Sequence, residues 1–214
     1  MLVDLRAAQL LCSRLCHDLV GPAGAVNAGM ELIQEDPRNA GEALTLVADS
    51  GQQIVRRLEF YRIAFGLGGE GAASLGEIRA LSAGLLAEGN VTLTWMDEGV
   101  LPGPPLPATG GKLVLNLVLL GVDCLPRGGT LEVHVAALAE GLGVAMTAIG
   151  QGARLRSEVQ AALQPEVASA DLSARTIQGY FAQRLAEHVG TSIETSDTVD
   201  DQVRLALVLH GVTA

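Results

Sequence analysis

Between residues 5 and 33 the apolar and small positions fall at Leu5, Ala8, Cys12, Leu15, Leu19, Pro22, Val26, Gly29 and Ile33, alternating three and four apart. This is the spacing of a helix that buries one seam, and it predicts a first helix over 2–35 with a bend near Pro22. Asp36-Pro37 predicts a cap followed by proline at the first helical position. A second series, Leu44, Val47, Gly51, Ile54, Leu58, Tyr61 and Phe65, repeats the alternation. Two long helices joined by a short loop form an antiparallel hairpin. A lone hairpin cannot cover its seam on both sides, and Ala8, Gly29 and Gly51 permit close approach. The pattern therefore predicts pairing with a second copy into a four-helix bundle, a homodimer.

Past Phe65-Gly-Leu-Gly-Gly-Glu-Gly-Ala-Ala-Ser74 the periodicity changes, which predicts a hairpin domain over 1–67 and a second domain over 74–214. In the second domain a helix is expected over 75–87, a strand over 91–96, a proline-rich loop over 101–107 and a fully apolar, buried helix over 111–125. Strands over 131–138 and 144–149 are joined by a tight turn at Glu140-Gly-Leu-Gly143. Helices over 155–163 and 173–189 and strands over 192–195 and 203–209 complete an α+β order, with helices on one face of a sheet.

Composition narrows the function classes. The chain has 214 residues, enough for one large or two small domains. A net charge of −10 with Lys112 as the single lysine argues against a nucleic-acid partner, which would require a basic face. There is no signal-peptide pattern and no membrane-length apolar run, so a cytoplasmic protein without membrane contact is expected. Cys12, Cys16 and Cys124 do not make a disulfide framework and are expected as small buried thiols in a reducing compartment. Cys12-x-x-x-Cys16-His17 is one residue too long for haem attachment.

The chemistry points to His17. Placed on the helix seam, His17 falls at the position farthest from it, and its neighbours one turn away are Ser13, Arg14, Val20 and Gly21. Most of these are small, so the imidazole is open to a large partner. Pro22 costs a helix about 3 kcal/mol and frees the carbonyl of Asp18. Gly21 and Gly24 each add about 1 kcal/mol relative to alanine. The other histidines, His134, His188 and His210, lack metal-ligand spacing with a carboxylate, and no serine elbow, Walker loop or nucleophile triad is present.

His17-Asp18-Leu19-Val20-Gly21-Pro22 resembles the phosphoacceptor box of two-component histidine kinases. The longer run over 11–32, with Cys-His-Asp-Leu, Gly-Pro, Gly-Ala-Val-Asn and Gly-Met-Glu-Leu, is similar to the ChpT-type histidine phosphotransferases of alphaproteobacteria. The second domain resembles the ATP-binding domain of histidine kinases and other GHKL proteins. Against that resemblance, Asn116-Leu-Val-Leu-Leu120 keeps the first of two asparagines that help hold Mg²⁺ and phosphate and has Leu120 at the second. The motif Asp-x-Gly-x-Gly reads Ala148-Ile-Gly150-Gln-Gly152, and alanine cannot accept the adenine amino group's hydrogen bond. Asp171-Leu-Ser-Ala-Arg-Thr-Ile-Gln-Gly-Tyr-Phe reads as a helix start without a phosphate loop. The resemblance thus implies a domain that keeps the shape without binding ATP, with Asn116, Gly150 and Gly152 as structural remnants.

A neutral imidazole offers a lone pair to a phosphoryl group. The expected activity is phosphotransfer: His17 accepts phosphate from a receiver-domain aspartate and passes it to another. Asp18 either fixes the tautomer of His17 or is a solvated carboxylate; Arg14 either steadies phosphoryl oxygens or is a surface arginine. Val20, Gly21 and Gly24 would form a low docking patch. No cofactor or metal of the chain's own is expected, since the family's receivers bring Mg²⁺. The resemblance implies the receiver of a hybrid histidine kinase as donor and response regulators as acceptors. The alternative is a non-catalytic dimeric adaptor for receivers or kinases.

Overall fold

The computed structural model describes residues 4–36, 38, 40–66, 74–100, 106, 108–197 and 199–211. The predicted helix start at residue 2, the proline at 37, most of the glycine-rich break and nearly all of the proline-rich loop lie outside them. Helix α1 (Leu5–Glu35) is continuous through Pro22. Asp4 caps it, its carboxylate accepting the backbone N–H groups of Arg6 and Ala7 at 2.9 and 3.2 Å. Asp36 ends α1 instead of opening the next helix: its N–H donates to the Leu32 carbonyl and its carboxylate takes the backbone and guanidinium of Arg38. Helix α2 (Ala40–Phe65) then returns along α1.

Gly29 sets how closely the two helices approach. A Cβ there would sit 2.6 Å from Val47 Cγ2 and 3.1 Å from the Ala43 carbonyl oxygen, so any side chain would push the pair apart. At Gly51 the same construction meets open space, so that glycine does not serve the hairpin seam. Leu44 and Leu58, expected inside, are exposed. Val47, Ile54 and Tyr61 turn inward as expected, joined by Ala43, Ser50 and Arg57.

The start of α1 departs further from the predicted seam. Leu5 is 70% exposed, while Ala7, Leu10 and Leu11 pack on Ala162, Leu172 and Ile177 of the second domain. The helix therefore buries one face against the second domain and a different one against α2. Cys12 falls between the two faces and is exposed, as is Cys16; only Cys124 is buried, against the expectation of three buried thiols. Burial, then the neighbouring Asp123, pushes the Cys124 thiol up to about 12.

The second domain runs α3 (Leu75–Leu86), β1 (Val91–Met96), α4 (Ala108–Asp123), β2 (Gly129–Leu138), β3 (Gly141–Ile149), α5 (Ser157–Ala162), a 3₁₀ turn (Ser169–Asp171), α6 (Ile177–Val189), β4 (Glu194–Ser196) and β5 (Gln202–His210). The sheet order is β1-β2-β3-β5-β4, with β1 parallel to β2 and the other pairs antiparallel. Alternating residues of β2, β3 and β5 bury one face, and the residues of α4 from Leu113 to Leu120 are buried on every side, between the sheet and the other helices. Gly121 lets α4 lie close on β2, where a Cβ would meet Leu131 Cδ1 at 2.6 Å. The β2–β3 turn is tighter than predicted. Leu138 already pairs with Gly141, and Gly141, at φ +149°, sits where a Cβ would strike the Leu209 carbonyl oxygen at 2.1 Å. No helix among the described residues is long and apolar enough to cross a membrane.

Candidate functional site

His17 lies one helical turn beyond Arg14, with its side chain 86% exposed, as its position opposite the predicted seam requires. Its Nδ1 is 3.4 Å from Asp18 Oδ1, a long contact that leaves Nε2 directed away. Asp18 itself is firmly held. Its Oδ2 accepts the Tyr61 hydroxyl at 2.8 Å, and its main-chain carbonyl accepts Arg57 Nη1 at 2.5 Å. That carbonyl is the one Pro22 leaves without an intrahelical donor. The proline thus creates an acceptor on α1, and α2 fills it with a guanidinium.

Tyr61 is the site residue the sequence reading assigned only to packing. Its ring stands nearly perpendicular to that of Phe60, with centroids 6.1 Å apart. Burial, then the Asp18 carboxylate, pushes its phenol well above the usual range, which keeps the hydroxyl protonated as a donor. Tyr61→Phe is expected to cost about 1–2 kcal/mol in urea unfolding and to slow any chemistry that needs Asp18 held beside His17.

Above His17, Val20 is 66% exposed, and nothing lies within 4 Å of a Cβ built at Gly21 or Gly24. These three residues leave a low, open stretch of helix surface. Arg14 does not join them. Its side chain is only 16% exposed and binds Asp123, at the end of α4, at 2.9 Å to each carboxylate oxygen. Burial opposes the charge on Arg14, but Asp123, followed by Asp18 and Tyr61, outweighs it and raises its pKa. Arg14 therefore joins α1 to the second domain, which sets it apart from an ordinary surface arginine.

Below His17 a cleft of about 440 Å³ separates α1 from the second domain, lined by Arg14, His17, Asp123, Arg154, Arg156 and Arg175 among others. Four of the chain's fourteen basic residues line this one cleft, in a protein whose net charge is −10. The sequence reading missed Arg154, Arg156 and Arg175. The Arg-x-Arg doublet was legible, but Arg175 and His17 join it only through folding.

The positions compared with nucleotide-binding motifs serve packing. Asn116 is 0% exposed; its amide nitrogen donates to the carbonyls of Ala64 and Lys112 at 3.0 and 2.8 Å, and its oxygen accepts Gln178 Nε2 at 2.7 Å. Leu120 and Ala148 belong to the core. A Cβ at Gly150 would lie 2.4 Å from the Gly128 carbonyl oxygen, and Gly152, at φ +74°, donates its N–H to Asp201 Oδ1 at 2.7 Å. Among the described residues no three His, Cys, Asp or Glu side chains are grouped to hold a metal ion.

The family described as "Histidine phosphotransferase C-terminal domain" matches residues 75–201. Over 206 residues, 94% of each chain, the sequence is 32% identical to protein phosphotransferase ChpT of Brucella abortus (strain 2308). The chain belongs to the ChpT-type histidine phosphotransferases. A solved structure of a bacterial phosphotransferase superposes on the phosphotransferase with a TM-score of 0.80 at 29% identity, covering 97% of this chain and 98% of that one. The nucleotide-free catalytic domain of histidine kinase ThkA matches 66% of this chain and 97% of its own at 12% identity, with a TM-score of 0.52. That second likeness shows a shared fold.

Proposed function

We propose that this protein carries phosphoryl groups between receiver domains of a two-component phosphorelay, with His17 as the temporary acceptor. The observation that supports this best is an imidazole almost wholly exposed on a rigid helix, with a fixed carboxylate beside one ring nitrogen. Asp18 favours the proton on Nδ1, leaving the Nε2 lone pair outward. Nε2 attacks the phosphorus of an aspartyl phosphate, forming a P–N bond as the P–O bond to the donor carboxylate breaks; the second transfer reverses these roles on another aspartate. Such a transfer needs alignment and charge neutralisation more than covalent machinery.

The strip of Val20, Gly21 and Gly24 supplies one docking surface, and Arg154, Arg156 and Arg175 supply an electropositive wall opposite it. A receiver of a hybrid kinase is the donor in this reading and response regulators are the acceptors. The receivers bring the Mg²⁺, and in this reading a hairpin domain over 1–67 carries His17 and the strip while a second domain over 74–214 carries the arginines. Incubation with a ³²P-labelled receiver should label the protein in an acid-labile form. Incubation with labelled ATP alone should leave it unlabelled, because Asn116, Leu120 and Ala148 offer a nucleotide no free polar group.

The same reading includes a homodimer. Leu44, Val55 and Leu58 on α2 and Met30 and Leu32 on α1 leave apolar surface exposed, which a second hairpin would cover. Sedimentation should give twice the chain mass at micromolar concentration; a monomer would remove this part.

A further inference from the structure

The hairpin meets the second domain through apolar packing, with Phe60, Tyr61 and Ala64 in its core and Ala7, Leu10 and Leu11 on Ala162, Leu172 and Ile177, and through polar contacts at a few residues that fix the register. Asn116 reaches from α4 to the Ala64 carbonyl near the end of α2 and is held in turn by Gln178 of α6. One turn earlier, the Lys112 ammonium donates to the carbonyl of Gly66, just past α2. A helix end leaves its last carbonyls without partners, and here α4 supplies donors to that end. On the other side Arg14 pairs with Asp123 at 2.9 Å, and Arg6 donates to the Leu172 carbonyl at 2.8 Å. Sliding one part past the other would strip partners from buried groups on both flanks.

We propose that Asn116 and Lys112, with the Arg14–Asp123 pair opposite, form a lock that fixes the arginine wall relative to His17. They are positioning residues for the incoming receiver. The proposal rests on the reading of His17 as the transfer residue. Its physical content is that the two docking surfaces form one preorganised surface, so the receiver is not required to order them on binding.

The test uses the full chain with Lys112→Met and, separately, Asn116→Ala. Three readouts are compared: KM and kcat for transfer from a phosphorylated receiver, labelling of His17 by phosphoramidate, and the distance distribution between spin labels at Gln52 on α2 and Glu140 in the β2–β3 turn. Cys12→Ser and Cys16→Ser serve as the labelling background. Each variant should broaden the distribution and raise KM, by roughly tenfold for the larger effect, while phosphoramidate labelling proceeds at the wild-type rate because it needs no docking. An unchanged distribution with unchanged KM in Lys112→Met would overturn the lock, even if Asn116→Ala fails to fold. If the wild-type protein takes no label from either donor, the reading of His17 fails, and the distance distributions still decide the lock.

Discussion

His17→Ala is expected to abolish phosphoryl transfer, to the limit of detection, in both directions of the relay. The loss should be complete because no second imidazole can substitute. His134 lies on β2, 3.9 Å from Glu132, His188 on α6 and His210 at the end of β5, none of them lining the cleft beside His17. The fold should be untouched. The His17 ring is 86% exposed, its one polar contact among the described residues is the long one to Asp18, and alanine is the better helix former by about 0.5 kcal/mol. Unchanged urea unfolding together with absent acid-labile label is the expected pair of results. Flux through the His17→Ala protein at the wild-type rate would refute the assignment.

Reversing two charges on the cleft wall, Arg154→Glu with Arg156→Glu, should produce the second largest effect. Arg154 is exposed, and its guanidinium makes only a 3.5 Å contact to the Gly152 carbonyl among the described residues; its backbone N–H, which the substitution keeps, donates to the Cys124 carbonyl. Arg156 stands at the N-cap of α5 without a side-chain cap bond. Neither takes part in the links between the hairpin and the second domain, so stability should change little, and a carboxylate at a helix N-terminus is favourable. Against an acidic receiver surface the reversal turns attraction into repulsion, which acts mainly on the rate of encounter. The transfer efficiency from a phosphorylated receiver should fall about 10- to 100-fold at low salt, and the deficit should shrink at high salt as screening sets in. A deficit of the same size at both ionic strengths would indicate lost packing instead of lost steering.

Much of the fold was legible because the period of the apolar positions is a local property. The two long helices, β1 over 91–96, the all-round apolar α4 and the alternation of β2, β3 and β5 follow directly from spacing. The outward position of His17 follows too, since a residue opposite a buried seam is exposed whatever covers the seam. Misreadings came where a helix has more than one neighbour. A single a/d register placed Leu5 and Cys12 inside, yet α1 leans on the second domain through Ala7, Leu10 and Leu11 and on α2 only later. Leu44 and Leu58 were placed in the seam because periodicity cannot tell which of two adjacent apolar stripes meets α1.

The sequence by itself determined an exposed histidine on a paired helix, the acidic residue after it, the proline that unseats the Asp18 carbonyl, and the apolar character of α4 and of the positions at Leu120 and Ala148. Only the tertiary structure decided who answers those groups: Arg57 at the freed carbonyl, Tyr61 at the Asp18 carboxylate, Asp123 at Arg14, and three distant arginines gathered opposite His17. The reason is that burial patterns are written along the chain every three or four residues, whereas hydrogen-bond and charge partners here lie some forty to over a hundred and fifty positions apart and meet only when the helices pack.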